Sequence, residues 1–185
     1  NKLIINLGRS GIGKSTISYL LMRSGWELIA DDILALNKKS ILLPGIPRIK
    51  LWEDTLNELN LDYSKYNQVR KNINKYIVEK ENLNISRKSQ EISSIYILHR
   101  ENEFKDKNLI GKFTEVKNEK LRFFLIKDNI FRPRFVKGLG KEADYFLTLT
   151  KMAKNKKLFF IPLPDGIEKT ERFLNQNFED ILFNN

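Results

Sequence analysis

Gly8-Arg9-Ser10-Gly11-Ile12-Gly13-Lys14-Ser15 is the stretch on which the reading of this chain turns. It fits the spacing G-x-x-x-x-G-K-[ST], which arises by chance in a chain this long only about two times in a thousand. Before it, Lys2-Leu3-Ile4-Ile5-Asn6-Leu7 is a short apolar run that reads as a buried strand. After it, residues 14–24 read as a helix with Ile17, Leu20, Leu21 and Ser24 on one face and Gly25 as its C-cap. Glycines in such a turn let backbone N–H groups face inward, forming an anion nest at the positive end of a helix. The residues expected to line it are Gly8, Ser10, Gly11, Ile12, Gly13, Lys14, Ser15 and Thr16. Lys14 would reach β- and γ-phosphates, the Ser15 hydroxyl would hold Mg²⁺, and Thr16 is placed for an α-phosphate.

Working outward, Trp26-Glu27-Leu28-Ile29-Ala30 predicts a second strand that ends on Asp31-Asp32. Strand, glycine turn, helix and strand make a βαβ unit, so the fold expected is α/β with a parallel sheet. At the carboxyl edge of such a sheet the Asp pair would share the end where the loop lies. Two adjacent carboxylates beside Mg²⁺ and phosphates can divide the labour: one orients the metal shell while the other accepts a proton from an attacking hydroxyl. The competing reading is a solvated turn, where Asp is common.

Further along, residues 33–36 and 41–43 flank Asn37-Lys38-Lys39 as a hairpin. Pro44-Gly45-Ile46-Pro47 is a loop by chemistry, since two prolines within four residues forbid helix. Residues 53–59 predict a short helix and 60–74 a polar excursion. Strands are expected at 75–79 and 92–98, with a polar connector at 101–118. Residues 121–130 are apolar enough for helix or strand. A helix follows over 142–154, then a strand at 158–161 closed by Pro162, then a last helix at 173–183 packing Leu174, Phe178 and Ile181.

The chain has 185 residues, 41% of them apolar and 11% aromatic, which is material for one real core and argues against disorder. Residues 1–185 read as a single domain. The sequence begins at Asn1 rather than Met, so a preceding segment is an open expectation. No run of about 18 apolar residues occurs, which excludes a membrane-spanning helix from the expectations. With no Cys and one His, disulfides, thiolate catalysis and Cys- or His-cluster metal sites drop out. Any metal must sit on oxygen ligands, which points to Mg²⁺, and the lack of Cys fits a cytoplasmic protein. The net charge of +10 comes from scattered Lys and Arg and reads as solvated surface; nucleic acid is not the expected partner.

The loop, together with Gly25-Trp26-Glu27-Leu28-Ile29-Ala30-Asp31-Asp32, resembles the catalytic domain of HPr kinase/phosphorylase. In that family a G-x-S-G-x-G-K-S loop precedes a strand ending in Ala-Asp-Asp. Residues 44–52, ending in Leu51-Trp52, look like the Tyr-Pro-x-x-x-Leu-Trp region of the shorter HPr-kinase-like proteins, and 95–98 and 159–164 resemble that subgroup more loosely. The resemblance implies a P-loop nucleotide-binding domain of the HPr kinase/phosphoenolpyruvate-carboxykinase-like type. It implies ATP and Mg²⁺ as cofactors and ATP-dependent phosphorylation of a serine hydroxyl on a protein or precursor peptide. Position by position, Lys14 and Ser15 match the phosphate and Mg²⁺ residues, Asp31 the proposed base and Asp32 its neighbour near the metal. Lys75 opens a strand near the family's basic position. The family's Glu-Ile-Arg-Gly-Leu-Gly signature does not occur here; Lys137-Gly138-Leu139-Gly140 echoes it out of context.

Arg48, with Lys50, is expected to offer a cation to a carboxylate on the acceptor from a Pro-bounded loop over the sheet edge. Arg132 and Arg134 are weaker candidates for the same work. His99 is expected to face solvent at a strand end, and Trp26 and Trp52 to pack. Three alternatives stay open: a small-metabolite kinase, a nucleotide-binding switch or slow ATPase, and guanine in place of adenine. A homo-oligomer is compatible with all of them.

Overall fold

A computed structural model describes residues 2–46, 48–79 and 83–183, with residues 179–183 described by backbone alone. In chain order its elements are β1 (Ile4–Leu7), α1 (Lys14–Arg23), β2 (Ala35–Leu36), β3 (Ile41–Leu43), β4 (Arg48–Trp52), α2 (Glu53–Glu58), β5 (Asn67–Arg70) and β6 (Ile73–Glu79). There follow β7 (Gln90–Glu91), β8 (Ser94–Arg100), β9 (Thr114–Glu115), α3 (Glu119–Lys127), α4 (Arg134–Gly138), α5 (Glu142–Asn155), β10 (Lys157–Leu163) and α6 (Ile167–Phe183). They group into two compact units, each assembled from three separate stretches of chain.

The first unit comprises Asn1–Ile12, Leu36–Leu42 and Gln90–Leu163. Its sheet has the order β1-β8-β10-β9, with β1, β8 and β10 parallel and β9 antiparallel at the edge. Ile95 of β8 stands between Ile5 of β1 and Leu158 of β10. Four successive β8 residues, Ile95 to Leu98, are buried, as expected of a parallel strand covered on both faces. The mixed α/β class read from the sequence is therefore present. The strand beside β1, however, is β8 rather than residues 26–30.

Three local expectations are decided here. The apolar run after residue 118 is the helix α3, because the Asn118 side chain caps it by accepting from the Leu121 N–H at 2.9 Å. β10 runs through Pro162 to Leu163. Its β9 partner pairs only with Phe159 and Phe160, so the missing N–H of Pro162 falls beyond that pairing. His99 is only partly turned to solvent: its ring also packs edge-on against Phe104 and Phe160, and its Nδ1 lies 3.3 Å from Glu103.

The second unit comprises Gly13–Ala35, Leu43–Ser89 and Pro164–Asn185. α1 buries Ile17, Leu20 and Leu21 of the face read from the sequence, whereas Ser24 is exposed and takes the C-cap position expected of Gly25. It meets α6, where Arg23 lies 3.7 Å from Glu171 and Trp26 packs edge-on against Phe178 at 5.7 Å. α6 starts six residues before its expected first residue and buries Phe173, Leu174 and Phe178; the side chain of Ile181 lies outside the described residues.

Residues 26–30 form no strand: only an isolated parallel bridge, Leu28 to Ile85, forms there. Residues 48–52, expected as loop, are the strand β4 of an antiparallel sheet ordered β4-β6-β5. Ile49 and Leu51 are buried while Arg48, Lys50 and Trp52 alternate onto the opposite face. The expected 60–74 excursion instead contains β5, hairpinned onto β6, with Tyr63 and Tyr76 rings 5.2 Å apart. Pro47 lies outside the described residues. No helix among the described residues is long and apolar enough to cross a membrane.

Candidate functional site

The loop from Gly8 to Gly13 joins β1 to α1, the strand-to-helix context its spacing requires. Gly8 has φ +149°, and a Cβ there would lie 3.1 Å from both Ile12 Cγ2 and the Leu98 carbonyl oxygen, so only glycine fits. Its N–H does not face an open nest, because it donates to Asn129 Oδ1 at 2.8 Å. Asn129 is held in turn by donating from Nδ2 to the Leu125 carbonyl. No sequence signal singled out this residue. Ser10 and Gly11 are exposed, whereas the Ile12 side chain belongs to the core. Arg9 is ion-paired to Glu103.

Gly13 has φ +111° at the N-cap of α1, which then presents Lys14, Ser15 and Thr16, all half-buried. The hydroxyl of Ser15 donates to Asp31 Oδ1 at 2.8 Å. The other carboxylate oxygen of Asp31 accepts from the Lys50 backbone N–H at 3.1 Å. The Lys50 ammonium meanwhile pairs with Asp32. One β4 residue thus touches both carboxylates, and Lys50 is committed to Asp32 rather than to an acceptor.

The segment carrying the Asp pair is fastened by Gly45. Its N–H donates to the Ile29 carbonyl at 2.9 Å, and a Cβ on it would lie only 2.6 Å from Ala30 Cβ. Without a side chain, residue 45 can lie against the residue preceding Asp31. In the sequence Gly45 signals only loop chemistry.

Burial is the largest influence on both central ionisable groups. It holds the Lys14 ammonium below its ordinary pKa; Asp31 opposes this most, Lys75 adds to it and Asp32 opposes it less. It pushes the Asp31 carboxyl above the usual carboxylate range, against the hydrogen bonds from Ser15 and Lys50, with Asp32 raising it further and Lys75 lowering it. Lys75 therefore faces this cluster electrostatically, while its ammonium lies 5.6 Å over the Trp52 ring. Arg48 sits on the same face of β4 as Lys50, and its guanidinium has no ion-pair partner among the described residues.

Ser15, Asp31 and Asp32 are a hard oxygen donor set of the kind that suits Mg²⁺, which keeps several waters and takes one or two carboxylates beside phosphate oxygens. With its proton directed at Asp31, the Ser15 hydroxyl keeps its lone pairs for a cation. Ser15 therefore contacts Asp31 and not Asp32, the carboxylate expected beside it at the metal. No cluster of three or more His, Asp or Glu suited to a metal occurs among the described residues, so protein ligands would be few. Comparison of the sequence with protein-family models and with curated proteins returns no match.

Proposed function

We propose that this chain is a Mg²⁺- and ATP-dependent kinase that phosphorylates a hydroxyl, a serine of a protein or precursor peptide, in the cytoplasm. The fold type proposed is the P-loop domain of HPr kinase and phosphoenolpyruvate carboxykinase. One observation carries the reading: the hydroxyl of the loop's Ser15 is hydrogen-bonded to Asp31. A phosphate-loop serine and a carboxylate so joined belong to phosphoryl-transfer chemistry more than to a solvated turn.

In this reading the loop backbone and Lys14 hold the phosphates. Asp31, the carboxyl whose pKa burial raises, takes the proton of the acceptor hydroxyl. The freed oxygen attacks the γ-phosphorus, and the bond to the β–γ bridging oxygen breaks to release ADP. Ser15 and Asp32, the latter held by Lys50, would hold Mg²⁺, whose positive charge would offset that of the phosphates. Arg48 offers a cation to the acceptor.

Incubation with γ-labelled ATP, Mg²⁺ and a set of precursor peptides, HPr-like proteins and small alcohols tests this. Label on serine, lost in Asp31→Asn with nucleotide binding retained and lost with binding in Lys14→Ala, is the expected result. Hydrolysis without label on any acceptor would replace the kinase with a nucleotide-dependent switch. Near-normal transfer by Asp31→Asn would move the base elsewhere.

A further inference from the structure

Helices α3 to α5 of the first unit leave an apolar surface that the fold does not cover. Phe124, Phe131, Phe135, Leu139, Phe146 and Leu147 are all exposed, Leu139 at 73% and Leu147 at 65%. Phe135 and Leu139 lie four residues apart at α4 and its C-cap and so share one side of it, and the Arg132 guanidinium lies near both the Phe131 and Phe135 rings. No residue of α4 is buried, which leaves this helix without a core of its own to serve. Single exposed apolar side chains are ordinary; six on adjoining elements mark an interaction surface.

The cations on this surface say what covers it. From Phe131 to Gly140 the sequence carries Arg132, Arg134 and Lys137 and no acid, while the next cation, Lys141, pairs with Asp144 of α5 at 3.5 Å. The Arg132 guanidinium lies 5.0 Å from the Phe131 ring centre and 5.7 Å from that of Phe135, and Arg134 lies 5.6 Å from the Phe135 ring. Neither arginine has an ion-pair partner among the described residues. A guanidinium held over a ring by cation–π attraction keeps N–H donors for another partner, which suits a carboxylate set beside an apolar side chain.

We infer that this face docks an acidic amphipathic peptide segment of a partner protein. Such a segment places Leu or Phe side chains among the exposed phenyl rings and leucines and Asp or Glu on Arg132 and Arg134. A second copy of this chain, meeting the face symmetrically, would set Arg132, Arg134 and Lys137 against the same three cations, and the whole chain is already at +10. Single-stranded nucleic acid needs open ring faces for base stacking, and here guanidinium groups lie over those of Phe131 and Phe135. The inference stands on this surface alone and does not depend on the kinase reading.

The test uses the full chain and an array of fluorescein-labelled 15-residue peptides with Leu or Phe at four-residue spacing and Asp or Glu between. Each has a counterpart carrying Lys in place of the acids. Fluorescence anisotropy at physiological salt should show saturable binding of acidic members and none of the Lys counterparts. Charge reversal in Arg132→Glu/Arg134→Glu, and separately Phe135→Ser/Leu139→Ser, should each weaken the best peptide by roughly tenfold or more. These side chains are exposed, so both variants should keep the wild-type melting temperature. The wild-type comparison of acidic and Lys peptides decides the matter even if a variant misfolds.

Absence of saturable binding across the array, or equal binding of the Lys peptides, would overturn the inference. So would a wild-type dimer in sedimentation that Phe135→Ser/Leu139→Ser disperses, since a second copy would then be the occupant. Tighter binding of a single-stranded oligonucleotide or of anionic phosphatidylserine vesicles, lost in the same variants, would likewise overturn it.

Discussion

Gly45→Ala adds one methyl group to the loop that fastens the Asp pair, and its consequence can be worked through from distances. The new Cβ would lie 2.6 Å from Ala30 Cβ, 3.3 Å from Ala30 Cα and 3.5 Å from the Ile29 carbonyl oxygen. Comfortable carbon contacts begin near ~3.5 Å, so loop and segment must part by roughly 1 Å. The opposing atoms are a Cβ fixed to its backbone and backbone itself, and none can swing away as a flexible side chain would. Overpacking of this kind costs about 1–3 kcal/mol. Parting by that distance would also stretch the 2.9 Å bond from Gly45 N–H to Ile29, worth about 0.5–1.5 kcal/mol net. Together they predict about 2–4 kcal/mol, or a melting temperature lower by roughly 4–16 °C for a chain of this size.

Ala30 precedes Asp31, so the strain reaches the carboxylate held by Ser15 and Lys50. A misplacement of about 1 Å costs on the order of 10²-fold in a positioned reaction. Urea unfolding and labelled phosphoryl transfer measure the two effects. The decisive control is Ala30→Gly on the Gly45→Ala background, which removes the opposing Cβ and should recover most of both losses. Wild-type stability in Gly45→Ala, or no recovery in the double variant, would refute the steric argument.

Asp31→Asn should stabilise the fold at neutral pH while removing transfer. A carboxyl whose pKa rises on folding holds its proton more tightly when folded, so once ionised it opposes folding. That penalty is full above the raised folded value and fades as pH falls through it toward the ordinary 3.8. The melting-temperature gain of Asp31→Asn over the wild type should therefore shrink steadily in acid, and a gain independent of pH would contradict it. Arg48→Ala should raise the acceptor KM roughly ten- to hundredfold, the loss of one charged hydrogen bond of about 1.5–3 kcal/mol, and leave nucleotide affinity unchanged. Unchanged acceptor kinetics would take Arg48 out of the site.

What was legible in the sequence was local. The loop's glycines, the run before it and the 3.6-residue periodicity after it are properties of a few adjacent residues, and β1, the turn and α1 follow them. The same holds for the buried faces of α1 and of α6 as far as Phe178. Pairing partners are not local. Residues 26–30 carry as strong a strand pattern as β8, yet only β8 takes the place beside β1, and 26–30 finds a single bridge to Ile85. β4 hid behind the Pro44-Gly45-Ile46-Pro47 loop chemistry because its alternation needs β6 opposite it to become a strand.

The site divides along the same line. Lys14, Ser15, Asp31 and Asp32 announce themselves by residue type and spacing. That Lys50 bridges Asp31 and Asp32 is a contact across 19 and 18 positions of chain, that Asn129 satisfies Gly8 one across 121, and that Gly45 abuts Ala30 one across 15. No short window of residues encodes them; they exist only once packing has decided which backbones lie side by side.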